Sequence, residues 1–251
     1  MNELRSKLQE KEFVIGTLVS VASQPLAEAL SRTDLDWLFI DMEHSTLSYD
    51  DVQSMIQSLG ERCLSFIRLQ DSSTRSVKLA LDTGCTGIIV PRVDTKDKAM
   101  EIVNAAMYPP IGERSIGVCR SNQFGKTLSE SIVGDNSRIS VHVQIEHVDA
   151  LDELDDIAQV NGIDGLFVGP YDLSGSFGKP GAIHEEDVVA AIKQVERAAA
   201  KNNKVPGIFC GNEKVAQTAI ENGFQFVVVG ADLLRLMKSC DKSVDTLRNG
   251  R

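Results

Sequence analysis

Short apolar runs rich in β-branched residues alternate with helical patterns along the whole chain of 251 residues. The runs have the length and composition of buried strands. The predicted strands are Phe13–Ser20, Trp37–Asp41, Leu64–Leu69, Gly87–Val93, Ile139–Glu146, Gly165–Gly169, Pro206–Cys210 and Phe226–Gly230. Near-continuous apolar strands that alternate with helices are typical of a parallel sheet covered on both faces. The pattern therefore predicts an α/β fold.

The stretches between these strands have the period of amphipathic helices. They are Pro25–Ser31, Tyr49–Leu59, Thr74–Asp82, Asp94–Ala106, Ala150–Val160, Glu185–Lys201 and Glu213–Glu221. Gly84, Gly162 and Gly223 follow three of them and are typical of helix C-termini. Strand–helix units repeated along about 250 residues favour a (β/α)8 TIM barrel, as a single domain over residues 1–251. A doubly wound sheet is the second interpretation, since it usually needs fewer strands and a switch point.

One interval breaks the rhythm, because about 45 residues separate the fourth and fifth predicted strands. The part of it over Tyr108–Gly117 is rich in proline and glycine. Such composition is typical of a shaped surface loop. We predict that this loop lies over the mouth of the barrel.

Composition and charge narrow the function classes. The chain is 42% hydrophobic and 25% charged, as in an ordinary globular enzyme. A net charge of −10 without a basic stripe argues against a nucleic-acid partner. The chain has neither the apolar run of a membrane helix nor that of a signal peptide, so we predict no membrane partner. Its five cysteines form no Cys-x-x-Cys pair, which favours incidental thiols in a reducing, cytoplasmic compartment.

Reactive side chains follow five consecutive predicted strands at their carboxyl ends, where such a barrel places its chemistry. The ends read Asp41-Met-Glu43-His44, Arg68, Pro91-Arg92, Gln144-Ile-Glu146-His147 and Gly169-Pro-Tyr-Asp172. Glu146 and Asp172 end neighbouring strands, so we expect their carboxylates to converge on one pocket. Two oxygen ligands beside open positions suit Mg²⁺ or Mn²⁺ better than Zn²⁺. The alternatives are that Asp172 caps a turn and that Glu146 pairs with an arginine.

Three further side chains at this rim are candidates for substrate chemistry. Gln144 shares a strand face with Glu146 and is a candidate contact of metal or substrate. Arg68 is suited to hold an anionic oxygen through two hydrogen bonds, with an interstrand salt bridge as an equally good interpretation. His44 is a candidate general base because imidazole titrates near neutral pH, with a structural histidine as the alternative. We interpret the remaining histidines as structural or exposed: His142, His147 and His184.

The motifs resemble the HpcH/HpaI aldolase family, the metal-dependent class II pyruvate aldolases. The resemblance spans nearly the whole chain. Four segments carry it: Asp41-Met-Glu-His44, Tyr108-Pro-Pro-Ile-Gly-Glu-Arg114, Val143-Gln-Ile-Glu146 and Gly169-Pro-Tyr-Asp-Leu-Ser174. It implies a (β/α)8 barrel in which Glu146 and Asp172 bind Mg²⁺, Mn²⁺ or Co²⁺ and pyruvate chelates the metal.

The resemblance also implies roles for the other rim residues. Arg68 would stabilise the pyruvate enolate oxygen, Gln144 would lie near metal and substrate, and His44 would move the proton of the aldol hydroxyl. Asp82 stands fourteen residues after Arg68, where the family places an acid that orients this histidine. The resemblance further implies a homo-oligomer, a hexamer built from dimers that exchange their last helix.

The implied reaction is reversible aldol cleavage of a 4-hydroxy-2-oxo acid to pyruvate and an aldehyde, carried out by a carbon–carbon lyase. Many relatives have glycine where this chain has Met42 and alanine where it has Tyr171, and Tyr171 and Asp172 are candidate substrate contacts. Arg120, in the segment Gly117–Gly125, is either a contact of an acidic or hydroxylated aldehyde or a solvated side chain.

Two other functions are open for a chain of this kind. One is a citrate-forming or other enolate carbon–carbon bond enzyme of the same superfamily, which needs the same metal and enolate site. The other is a barrel that has kept only a binding role, which a missing metal acid, arginine or histidine would favour. A Schiff-base mechanism is disfavoured because no lysine stands at the carboxyl end of a predicted strand.

Overall fold

The computed structural model describes residues 2–10 and 12–249, which form a closed barrel of parallel strands. The strands are β1 Val14–Val19, β2 Trp37–Asp41, β3 Leu64–Arg68, β4 Gly87–Val90, β5 Ser140–Ile145, β6 Gly165–Val168, β7 Val205–Cys210 and β8 Phe226–Ala231. Each strand pairs with the next along the chain, and β8 pairs with β1. The predicted (β/α)8 barrel is confirmed. Its closure excludes the doubly wound sheet.

Helices surround the strands, and five of those described begin at a side-chain cap. The helices are α1 Glu3–Glu10, α2 Gln24–Ser31, α3 Tyr49–Leu59, α4 Thr74–Asp82, α5 Lys96–Ala106, α6 Leu128–Gly134, α7 Asp149–Asp152, α8 Leu154–Ala158, α9 Pro170–Ser176, α10 Glu186–Lys201, α11 Glu213–Glu221 and α12 Asp232–Asn249. A side-chain oxygen accepts a backbone N–H at the start of α2, α3, α4, α5 and α11. Short 3₁₀ turns cover Arg120–Gly125 and Asp135–Ser137.

Helix ends agree with the sequence in part. Gly84 and Gly223 follow α4 and α11 with φ of 75° and 98°, the left-handed backbone expected of a glycine after a helix. Gly162 also has a φ of 98°, but it lies in the turn beyond α8 rather than next to the helix end. The single helix predicted over Ala150–Val160 is two short helices, because the backbone leaves helical geometry at Glu153.

Alternate residues along each strand point into the barrel. The lower layer of the interior is aromatic. The Trp37 ring stacks on Phe226 with centroids 3.7 Å apart, and His142 lies 5.5 Å from Phe66 and 4.8 Å from Phe226. Gly165 makes room for this layer, since a Cβ there would collide with the His142 ring. His142 is fully buried, which confirms its structural interpretation.

The N-terminal end of the barrel is closed by α1. Leu4 is fully buried and packs with the barrel interior. Arg5 on the same helix forms an ion pair of 3.4 Å with Asp164 at the start of β6. The opposite end, where the strands finish, is left open for the loops that lead into the helices.

The long segment between α5 and β5 lies at the N-terminal end, so the predicted position of Tyr108–Gly117 over the mouth is wrong for this chain. It follows a helix that runs back from the mouth, and it therefore starts at the far end of the barrel. The Arg120 guanidinium donates to the carbonyl oxygen of Thr83 at 2.7 Å, just beyond α4. Arg120 thus binds backbone at that end instead of facing the mouth.

The last helix, α12, extends from the barrel after its first turn. Its exposed apolar side chains are Leu233, Leu234, Leu236, Met237, Val244 and Leu247. Whether two copies exchange this helix stays a prediction. Within residues 2–10 and 12–249, none of the helices combines the length and apolar character that crossing a bilayer requires.

Candidate active site

A cavity of about 440 Å³ opens where the strands end. Its polar lining residues are Ser20, Asp41, His44, Arg68, Gln144 and Asp172. Its apolar lining residues are Leu18, Phe39, Phe167, Pro170, Tyr171 and Phe209. Predicted site residues from four different strands therefore surround one space.

A larger cavity, of about 630 Å³, lies at the N-terminal end between α1 and the starts of β3 and β4. Barrels of this fold carry their chemistry at the carboxyl ends of the strands. We therefore assign the active site to the smaller cavity, where the reactive side chains meet.

Arg68 is held in place by Asp41 across two neighbouring strands. The two residues lie opposite each other in the β2–β3 register. Arg68 Nε and Nη2 donate to the two Asp41 oxygens at 2.8 and 2.7 Å, a bidentate pair. Burial alone would lower the pKa of Arg68, but the hydrogen bonds and charge of Asp41 outweigh it and the pKa is raised. The interstrand salt bridge thus exists, and the same guanidinium lines the cavity.

Glu43 lies between the two candidate catalytic side chains. Its Oε2 is 3.2 Å from Arg68 Nη1 and 3.9 Å from His44 Nε2. Burial raises the pKa of Glu43, and the charge of Arg68 opposes that rise. The His44 side chain is 62% exposed and sits at the edge of the cavity. Glu43 belongs to the sequence motif and precedes His44, but no role for it was predicted from the sequence.

Glu146 follows β5 and is almost completely buried. Its Oε1 accepts the backbone N–H of Arg92 at 2.7 Å, and Gln144 Nε2 contacts its Oε2. Burial raises the pKa of Glu146 to about 7, and the charges of Glu43 and Asp172 add to the rise. The side-chain amide oxygen of Gln144, Oε1, is buried without a hydrogen-bond partner among the described residues. The Glu146 carboxylate is thus bound by a backbone N–H and a side-chain amide rather than by an arginine side chain.

Arg92 places its backbone N–H on Glu146 through an unusual conformation. Its φ is 54°, in the left-handed region that non-glycine residues seldom adopt. Its guanidinium Nε donates to Asp94 at 2.6 Å, which keeps the side chain at the rim. Strained backbone of this kind is concentrated at functional sites. The sequence pattern carries no signal for it.

Asp172 lies in the first turn of α9 and is exposed to the cavity. That helix begins without a side-chain cap, so Asp172 is free of the capping role that was its alternative. The negative charge of Asp172 raises the pKa of both Glu43 and Glu146, so Asp172 lies close enough to interact electrostatically with both carboxylates. Across residues 2–10 and 12–249, His, Cys, Asp and Glu form no cluster of three or more with metal-ligand geometry. Glu146 and Asp172 are therefore two candidate ligands that belong to no larger ligand cluster among these residues.

Asp82 stands apart from this group in the single chain. It ends α4, where its Oδ1 accepts from Arg114 Nη2 at 2.9 Å and lies 3.6 Å from the Cys119 sulfur. It is not part of the cavity lining. The acid beside His44 within the chain is Glu43. The role of Asp82 in orienting His44 stays a prediction.

The wall of the cavity formed by β1 is tied to the start of α12. Asp232 accepts from the backbone N–H groups of Ser20 and Val21 at 2.8 and 3.1 Å and from the Ser20 hydroxyl at 3.0 Å. Ser20 lines the cavity. The loop after β1 is therefore held by the first residue of the last helix.

Comparisons with known proteins agree with this fold and identify the family. Residues 15–239 match the family described as HpcH/HpaI aldolase/citrate lyase. A 2-keto-3-deoxy-L-rhamnonate aldolase from Escherichia coli is 32% identical over 253 aligned residues, which cover 100% of this chain and 94% of that protein.

Two solved structures are also similar over nearly their full length. A family protein from Burkholderia cenocepacia J2315 has a TM-score of 0.94 and 31% identity, covering 99% of this chain and 100% of that one. An HpcH/HpaI aldolase from Desulfitobacterium hafniense DCB-2 has a TM-score of 0.90 and 27% identity, covering 99% and 97%. The chain is thus a carbon–carbon lyase that belongs to the HpcH/HpaI aldolase/citrate lyase family.

Proposed function

We propose that this protein reversibly cleaves a 4-hydroxy-2-oxo acid to pyruvate and an aldehyde. The observation that carries the proposal is the charge arrangement at the mouth. Arg68 contacts Asp41 and Glu43, and the charge of Glu146 also acts on it. Asp172 lines the same cavity. Such a site has a deficit of positive charge and a fixed donor for a developing enolate. The 2-keto-3-deoxy-L-rhamnonate of the similar Escherichia coli enzyme belongs to this substrate class.

Glu146 and Asp172 would hold a divalent cation, Mg²⁺, Mn²⁺ or Co²⁺. A buried carboxylate whose pKa is raised to about 7 is favoured in its charged form by a cation nearby. The side-chain amide oxygen of Gln144, which has no hydrogen-bond partner among the described residues, lies beside Glu146. Amide oxygens are also ligands of such ions. When bound, the cation supplies Lewis-acid polarisation of the 2-oxo group.

The side chains of the cavity supply the remaining steps. In cleavage, His44 accepts the proton of the C4 hydroxyl, the C3–C4 bond breaks, and its electron pair passes to C3 to give the pyruvate enolate and an aldehyde. The Arg68 guanidinium stabilises the enolate oxygen, and Asp41 keeps it oriented for that task. Protonation at C3 then yields pyruvate. Tyr171 and Asp172 line the same cavity and would contact substrate.

Metal removal and one matched pair of variants test the proposal. We expect EDTA to abolish pyruvate release from a panel of 4-hydroxy-2-oxo acids and added Mg²⁺, Mn²⁺ or Co²⁺ to restore it. Glu146→Gln should weaken Mn²⁺ binding, measured by electron paramagnetic resonance, by about 100-fold or more. Glu130→Gln, the same change in α6 at the other end of the barrel, should bind Mn²⁺ as the wild type does. Pyruvate release that survives exhaustive chelation would contradict the metal-dependent mechanism.

We further propose a homo-oligomer, a hexamer built from three dimers that exchange α12. The exposed leucines and Met237 of that helix form an apolar surface that a second copy of the chain would cover. Sedimentation velocity should give six times the mass of the chain, and Leu236→Asp should lower it. A wild-type mass of one chain would contradict the proposal.

We propose a cytoplasmic location as well. The thiols of Cys63, Cys85 and Cys210 are free, and burial raises the pKa of each to about 12. Free buried thiols suit a reducing compartment. Cell fractionation with a redox-state label on the cysteines tests this location, and a secreted or oxidised pool would contradict it.

A further inference from the structure

We infer that the aldehyde half of the cavity selects uncharged aldehydes with an apolar end, and that Tyr171 and Phe209 determine this choice. The inference rests on the proposed aldol function and names the class of its second substrate. It is carried by two observations, the apolar wall beside the candidate metal ligands and the presence of one paired arginine, Arg68, as the sole guanidinium or ammonium group among the described residues that line the cavity.

The wall spans the ends of β6 and β7. Tyr171 precedes the metal acid Asp172, and its ring centroid lies 6.3 Å from that of Phe209 at an angle of 60°. The tyrosine hydroxyl reaches toward Gly211, where an added Cβ would lie 3.3 Å from it. The ring thus crosses from the loop after β6 to the loop after β7. Leu18 from β1 lines the same cavity, so apolar surface faces whatever extends beyond pyruvate.

Pyruvate would occupy the polar half of the cavity. Its oxo and carboxylate oxygens are matched by the acid pair with its cation and by Arg68. In synthesis, C3 of the enolate forms a bond to the carbonyl carbon of the aldehyde, and the carbonyl oxygen takes a proton to become the C4 hydroxyl. The rest of the aldehyde then extends from that carbon into the part of the cavity lined by Tyr171 and Phe209.

Among the described residues that line the cavity, no unpaired cationic side chain is available to bind a charged end of the aldehyde. Arg68 is the only guanidinium or ammonium group among the described residues that line the cavity, and it is engaged by Asp41 and Glu43. Outside that lining, Arg92 after β4 and Arg235 in α12 each lie close to a carboxylate. Arg92 pairs with Asp94 at 2.6 Å, and Arg235 lies 3.7 Å from Glu213 and donates to the carbonyl oxygen of Val229 at 2.7 Å.

The charges of the site also oppose a second carboxylate. Four carboxylates and one guanidinium leave a net charge of −3, a divalent cation brings it to −1, and bound pyruvate to −2. An aldehyde that carries a carboxylate would enter this field without a partner. Like charges placed together in a binding site disfavour the wrong partner strongly.

The test compares two four-carbon aldehydes in the addition to pyruvate. Butanal is uncharged, and 4-oxobutanoate carries a terminal carboxylate. We expect kcat/KM for butanal to exceed that for 4-oxobutanoate by about 10-fold or more, in the range that pocket contacts give. Phe209→Ala should lower kcat/KM for butanal by roughly 10-fold and change that for 4-oxobutanoate less.

Tyr171→Arg places a cation in the wall. Tyr171 is 48% exposed, so the change is compatible with folding. We expect it to shift the ratio of the two kcat/KM values by about 10-fold toward 4-oxobutanoate. Val133→Arg is the matched control, because it adds the same charge at a position 84% exposed in α6, at the far end of the barrel. Its ratio should equal that of the wild type.

Exchange of the pyruvate methyl protons with D₂O separates the two proposals, because it reports enolate formation without any aldehyde. If the wild-type protein showed no metal-dependent exchange, the proposed function itself would be overturned. Retained exchange with a preference for 4-oxobutanoate, or with no preference, would overturn the inference alone. A ratio that Tyr171→Arg and Val133→Arg shift equally would overturn the role of Tyr171.

Discussion

The two ends of the barrel stand on the same strands, yet their charged groups are arranged differently. At the N-terminal end, Asp164 accepts from Arg5, from Asn2 and from the backbone N–H of Val141, so its oxygens are paired within the protein. At the mouth, the acids outnumber Arg68, the one arginine among the described residues that line the cavity, and burial raises the pKa of Glu146 to about 7. The cavity at the N-terminal end is nevertheless the larger, about 630 against about 440 Å³. Unbalanced charge marks the reactive end, and cavity volume does not.

Arg68→Ala should show the largest effect on the reactive end. We expect kcat/KM to fall by about 10³-fold because the enolate oxygen loses its guanidinium. The free energy of unfolding should also fall by about 3 kcal/mol, since the buried Asp41 and the half-buried Glu43 lose their partner. Steady-state kinetics and urea denaturation measure the two losses. A variant with wild-type kcat/KM would reduce Arg68 to a structural salt bridge.

His44→Ala should remove activity without touching stability. We expect kcat/KM to drop by roughly 10²-fold through loss of the proton acceptor. The free energy of unfolding should change by less than about 0.5 kcal/mol, because the side chain is 62% exposed. Mn²⁺ binding should persist, which electron paramagnetic resonance can show. Undiminished turnover would make His44 a surface residue.

His142→Gln should change how stability depends on pH, with its effect in the aromatic layer below the site. Burial lowers the pKa of His142 to about 3 from its ordinary value of 6.5. The unfolded chain takes up a proton on this histidine below pH 6.5, whereas the folded chain does so only near pH 3. Wild-type stability therefore falls as the pH is lowered through that window, by on the order of 4 kcal/mol in the limit.

The variant lacks this titration, so its deficit relative to the wild type should narrow between pH 7 and pH 4. Urea denaturation at a series of pH values measures the two curves. Parallel curves would show that His142 has the same pKa in the folded and the unfolded chain, which would contradict the prediction. His142 lies two positions before Gln144 on the same strand. The result therefore distinguishes the aromatic packing layer, which contains His142, from the candidate site residues above it.

Arg5→Ala should show the smallest effect and is the counterpart of Arg68→Ala at the other end. Its ion pair with Asp164 is partly exposed, so we expect a loss of about 1 kcal/mol in the free energy of unfolding. The value of kcat/KM should stay within about twofold of the wild type, as expected for a change far from the chemistry. A 10-fold fall in kcat/KM would show that the two ends are coupled and would break the comparison.

Much of the fold was predictable because the apolar pattern of each strand, and the order of strands and helices, are visible in short segments of the sequence. The run before Glu146 is apolar and β-branched, so its end could be located, and the parallel arrangement put Asp172 at the same rim. The loop over Tyr108–Gly117 was misplaced although its position after a helix was visible. Chain order alone assigns such a segment to the N-terminal end.

The contacts of the site were less predictable because they depend on lateral register and backbone torsion. Asp41 meets Arg68 only because β2 and β3 align those two residues, and no periodicity within one strand shows that. The left-handed Arg92 is likewise invisible in its sequence, since arginine has no preference for that conformation. Residue types at strand ends indicated the chemistry, and three-dimensional pairing decided which groups act together.

The hydrogen bonds of Asp232 join the last helix to the wall of the cavity through Ser20. The same helix carries the apolar surface on which assembly would depend. In the proposed assembly, a change in how α12 is held would reach the loop that shapes the substrate's entrance. Catalytic efficiency would then depend on enzyme concentration, and dilution would lower turnover in a way that no active-site substitution reproduces.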